Sequence, residues 1–177
     1  MTYRTETDFH TLHTVRLISE LAGFLRKRKG GFELTKAGAS LAEKGLDGTA
    51  FFKIFEAYTR KFNWGYNDRY PELHIIQQAF VFTLYMLSKF GGESRPASFY
   101  EDLFVTAFPL ALREAPVSAY ATPEQTLKRC FTVRSLERFG HFLGFVEFEP
   151  MQKKVWPEQK SLKKTSFIDE WVRFPRL

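Results

Sequence analysis

A chain of 177 residues with 44% hydrophobic side chains and a net charge of +6 can bury a full core and is too apolar for a disordered protein. Its single cysteine, Cys130, excludes an intrachain disulfide framework, and its longest apolar run, 79–87, is interrupted by Thr83 and too short to span a bilayer. With a polar N-terminus that lacks the apolar stretch of a secretory signal, these features predict a cytoplasmic protein with no membrane partner.

The charge is uneven along the chain. Residues 1–45 carry 8 Lys/Arg against 5 Asp/Glu, residues 46–122 carry 7 against 8, and residues 123–177 carry 11 against 7. Positive ends around a neutral middle suit contact with nucleic acid, although ordinary solvation accounts for them too. The 20 phenylalanines predict an aromatic core.

In chain order, Leu12, Val15, Leu17, Ile18, Leu21 and Ala22 give a helical pattern over 9–22, stopped by Gly23. Two short strands follow around Arg26, Lys27, Arg28 and Lys29, with Gly30-Gly31 as the turn. Thr35 can N-cap a helix over 36–44 that Gly45 ends. Phe51, Phe55, Tyr58 and Phe62 share one face of a helix over 49–63. The turn-rich loop 63–71 carries Trp64, Tyr66 and Tyr70, a candidate partner site. Residues 72–90 are apolar on nearly all sides, as in a buried central helix, and Gly91-Gly92 stops them.

Ser98 can cap a helix from Phe99, which Pro109 must kink or end. Thr122-Pro123-Glu124-Gln125 is a strong helix start, giving a short helix to about Cys130 and a second over 132–142. A β-rich stretch covers 144–149, followed by a turn over 150–154 and a return strand at Val155-Trp156. Residues 161–173 read as a last helix, with Lys160, Lys163 and Lys164 at its solvated start.

One order of elements recurs. Thr14-Val15-Arg16 begins a helix that ends at Gly23-Phe24-Leu25, and Thr132-Val133-Arg134 begins one that ends at Gly144-Phe145-Val146. Each is followed by a hairpin and another helix. The predicted fold is therefore mainly α with small β-hairpins (α+β), two winged-helix-like modules packed on a central aromatic helical layer. The segments are 1–46, 47–95 and 96–177.

The stretch LISELAGFLRKRKGGFELTKAG resembles the closing part of the winged-helix superfamily, including MarR- and PadR-type repressors. The resemblance covers residues 14–44, and the second copy adds helices at 97–113, 123–130 and 132–142 and a wing at 144–157. It implies a third helix in the DNA major groove and a wing along phosphates. On the matching positions the groove-facing residues are Thr132, Arg134, Ser135, Arg138 and His141, and the wing cations are Lys153 and Lys154. In the first copy the wing is Arg26–Lys29, and His13, Arg16 and Ser19 occupy the helix. Too few residues precede that helix to supply the two that normally come first, which leaves open either the aromatic helices 49–63 or 73–90 in their place or a longer parent chain.

The expected function is a nucleic-acid-binding or regulatory protein. That reading leaves a homodimer open, and the alternative is a protein-interaction scaffold that uses winged helices only as architecture. No phosphate-binding glycine loop is present, and His141 has no Ser, Cys or Asp arrangement beside it. His10 and His13 share a helix face but lack further ligands at metal spacing. Neither catalysis nor a cofactor is expected.

Overall fold

The computed structural model describes residues 6, 9–66, 68–149 and 160–175. The fold is mainly helical with two small antiparallel sheets, an α+β class. The chain divides into two compact units, Met1–Asn63 and Trp64–Leu177. The aromatic stretch expected as a central layer is thus shared, its first helix in one unit and its second in the other. Among the described residues, no helix is long and apolar enough to cross a membrane.

The first unit runs α1 (His10–Leu21), β1 (Leu25–Arg28), β2 (Gly31–Leu34), α2 (Lys36–Lys44) and α3 (Gly48–Glu56). A π-helical turn, Ala57–Lys61, extends α3. Ile18, Phe24, Phe51, Tyr58 and Phe62 are buried, and α1 packs on β1 and on the π-helical turn. Gly23 ends α1 at a φ of 79°, which a residue without Cβ adopts freely. Thr35 joins the parts: its hydroxyl donates to the Gly23 carbonyl at 2.7 Å and accepts the Gly38 N–H at 3.1 Å. This brings α2 so close to the preceding turn that a Cβ at Gly38 would sit 2.0 Å from the Phe24 carbonyl oxygen.

The β1–β2 turn is centred on Lys29-Gly30, with φ of 46° and 80°, and not on Gly30-Gly31. Both central residues are left-handed, as a two-residue type I′ turn requires.

The second unit contains α4 (His74–Gln78), α5 (Phe80–Phe90), β3 (Arg95–Pro96), α6 (Ala97–Ala107), a 3₁₀ turn (Pro109–Arg113) and α7 (Pro123–Phe131). A π-helix (Thr132–His141), β4 (Val146–Phe148), β5 (Ser161–Lys164) and α8 (Ser166–Trp171) follow. The sheet order is β3-β5-β4, with Val146 opposite Lys164 and Phe148 opposite Leu162. Trp64, Phe104, Phe131, Leu136, Phe139, Phe145 and Leu162 are buried. Trp64 stacks on Phe139 at 4.7 Å and Phe104 on Phe131 at 4.5 Å between ring centres.

Several local expectations change. The helix over 72–90 breaks at Ala79 (φ −87°, ψ 18°). Ser98 does not cap α6, which starts one residue earlier behind Pro96. The two helices expected over 123–142 form one rod: Thr132 keeps helical angles (φ −56°, ψ −49°) and no Gly or Pro interrupts the chain there. The capping box is present in full, with the Thr122 hydroxyl accepting the Gln125 N–H at 3.2 Å and the Gln125 side chain accepting the Thr122 N–H at 3.0 Å.

From Thr132 the rod widens to π geometry, as the Phe142 N–H bonded to the Glu137 carbonyl shows. The expected turn 150–154 and return strand at Val155-Trp156 lie outside the described residues. Lys163 and Lys164 belong to strand β5, not to a helix start, because buried Leu162 beside exposed Lys163 follows a two-residue period.

Candidate functional site

The hairpin of the first unit pairs Leu25 with Leu34, Arg26 with Glu33, Lys27 with Phe32 and Arg28 with Gly31. Alternation along a strand sorts these side chains onto two faces. One face carries Leu25, Lys27, Phe32 and Leu34. The other carries Arg26, Arg28 and Glu33.

On the second face Glu33 accepts from Arg26 at 3.2 Å and from Arg28 at 3.1 Å. All three are well exposed, so each pair stabilises by at most a few tenths of a kcal/mol. One carboxylate leaves that face with a net positive charge. Lys27 and Lys29 make no ion pair with a described residue, and both are exposed. The four cations expected at this tip are therefore at the surface, and Lys29 sits at its apex.

Phe32 is 45% exposed, high for a phenylalanine. The Arg16 guanidinium from α1 lies over its ring, 4.9 Å from the centre. Arg16 is itself held by carboxylates: its Nε donates to Glu6 at 2.6 Å and its Nη1 to Glu20. His13 contacts the same Glu6 oxygen through Nδ1 at 2.7 Å. The hydrogen bonds from Arg16, then from His13, hold the Glu6 carboxyl below its usual range. Burial opposes charge on Arg16, but Glu6 and Glu20 outweigh it and raise its pKa. His13 is buried, and the partly exposed Arg16 is engaged by Glu6, Glu20 and the Phe32 ring, so neither is open for reading bases.

The second unit places its expected groove-facing residues differently. Arg134 Nε donates to Asp68 Oδ2 at 2.6 Å, and its Nη2 donates to Oδ1 at 3.1 Å and to the Pro71 carbonyl at 3.0 Å. Its side chain is 4% exposed and that of Asp68 is 0%. The Tyr70 N–H completes the carboxylate's shell at 2.9 Å. Ser135 is fully buried, and its hydroxyl has no hydrogen-bond partner among the described residues. The Thr132 hydroxyl donates to Glu101 at 2.5 Å, Arg138 donates to the Tyr66 carbonyl at 3.0 Å, and His141 Nδ1 lies 3.1 Å from the Val146 carbonyl.

These five residues form no free basic face. All five lie on the π-helix, which turns less per residue than the α-helix that the resemblance implies for groove contact. Lys153 and Lys154 lie outside the described residues.

The aromatic loop is bound to this unit's core. Trp64 is buried, whereas Tyr66 is exposed and offers its carbonyl to Arg138. Tyr70 lines a cavity of about 290 Å³ together with Ser98, Glu101, Arg129, Thr132, Glu137 and Lys160. Glu137 is paired with Lys160, and the two acids and two cations of the lining cancel. The Cys130 thiol is pushed up to about 12 by burial, and so remains protonated and unreactive at neutral pH.

Sequence reasoning missed Asp68 and the Arg16–Phe32 stack. Neither has a local signal, since each partner lies on another element. No protein-family model matches the chain, and no curated protein or solved structure matches it significantly.

Proposed function

We propose that the protein binds nucleic acid through the helix–hairpin–helix of its first unit, the hairpin acting as a wing on phosphates. The observation that carries this reading is the placement of Lys29. A lysine is held at φ 46° in a turn where Asn, Asp or Gly is preferred. Left-handed geometry costs an ordinary residue about 1 kcal/mol. Local strain of this kind is a recurrent mark of functional positions. It places an exposed cation at the apex of the turn, beside Lys27, Arg26 and Arg28. The first unit carries 11 Lys/Arg against 7 Asp/Glu over residues 1–63.

The test is an anisotropy titration with random-sequence DNA at two salt concentrations. Binding should weaken steeply with salt. Lys29→Asn should lower affinity and reduce the salt slope by about one contact, while raising thermal stability because Asn accepts the turn geometry. Binding that is absent, or indifferent to salt, would sink the reading.

A second reading has its own observation. Phe9, Leu12 and Val15 are exposed at spacings of three along α1 and its entry. An apolar strip of this kind fits a protein partner or a second copy of the chain. Under this reading sedimentation would show a dimer that Leu12→Glu dissociates.

A further inference from the structure

We propose that the ligand of the hairpin is single-stranded nucleic acid, with an unpaired base stacked on Phe32 and flanking phosphates on Lys27 and Lys29. This rests on the reading of the hairpin as a nucleic-acid contact and names the form of the polymer. A wing that only tracks duplex phosphates is served by cations. It gains nothing from a phenylalanine left 45% exposed directly across from Lys27. Unpaired bases, in contrast, bind through exposed aromatic rings set among cations.

The ring is also prepared for this use. Arg16 covers one of its faces at 4.9 Å, and Glu6 and Glu20 fix that guanidinium in place. Arg16 thus braces the Phe32 ring before any ligand arrives, and the residue keeps 45% of its surface exposed to one. Preorganisation of this kind lowers the entropy lost on binding. The same contacts remove the duplex alternative from α1. Arginine reads guanine with a free fork of donors. Here the fork is spent on two carboxylates of its own chain and on supporting a ring.

The test compares three labelled probes by anisotropy on the intact chain: an oligothymidylate and an oligouridylate of about twelve nucleotides, and a blunt duplex of the same length. The variants are Phe32→Leu, which keeps apolar bulk without a π-face, and Phe32→Trp, which enlarges that face. The native protein should prefer a single strand of either sugar over the duplex. Phe32→Leu should lose about tenfold on the single strand and little on the duplex, and Phe32→Trp should match or exceed the native affinity. Salt-dependent duplex binding as tight as single-strand binding, with Phe32→Leu neutral, would overturn this proposal and leave the nucleic-acid reading standing. Failure of all three probes to bind would overturn both.

Discussion

Arg16 and Arg134 hold the same place in the repeated Thr-Val-Arg triplet, and each is turned toward carboxylates of its own chain. The outcomes differ. Arg134 lies in a widened helix, shut from solvent and gripped at two atoms by an equally buried Asp68. Arg16 lies at the surface of α1, partly exposed, and its flat group supports an aromatic ring. One pattern has thus produced a structural tie in the second unit and a shaped, basic surface in the first. A helical arginine counts as a candidate for binding only after the carboxylates within its reach are accounted for.

The sharpest way to break the comparison is at the tie. Asp68→Ala leaves Arg134 buried without its counter-charge and should cost about 3–5 kcal/mol in urea unfolding. Arg134→Met in the same background should restore much of that loss, since an apolar group suits the site. Equal stability of the native protein and Asp68→Ala would show the pair to be solvated. Next in size is Gly38→Ala in the first unit. The added methyl would sit 2.0 Å from the Phe24 carbonyl oxygen and should cost about 1–3 kcal/mol as α2 is pushed away. Its mark would be faster amide exchange in the hairpin. Thr122→Ala removes the cap of the rod that carries Arg134 and should cost about 1 kcal/mol.

The smallest effect concerns pH. Glu6 has its carboxyl pKa lowered from 4.5 by Arg16 and His13. A lowered folded-state value contributes stability above the unfolded value and loses it as pH falls through the folded one. The support under Phe32 should therefore loosen on acidification below 4.5. Glu6→Gln should flatten this part of the stability profile, read by chemical denaturation across pH.

Much of the fold was legible. The Thr122–Gln125 box, the Thr35 cap, the stops at Gly23 and Gly45 and the end of α6 before Pro109 all act within a few residues, and local chemistry decides them. The hairpin cations were legible for the same reason. The passage from α- to π-helix at Thr132 was not, because no residue type marks it. Strand β5 was misread because Phe167, Ile168 and Trp171 carry a helical spacing that runs back over it. The Asp68–Arg134 pair spans 66 positions, and the Arg16–Phe32 contact joins a helix to a strand. Such contacts exist only once tertiary packing has chosen them.

Cys130 gives the molecule a clock. Its thiol, the only one in the chain, is fully buried and stays protonated at neutral pH, so an alkylating reagent finds it only when the second unit opens. The rate of labelling at that single atom therefore measures how often the unit comes apart. A second cysteine placed at the exposed hairpin tip would react without any opening, and would set the reference rate against which the Cys130 rate is read.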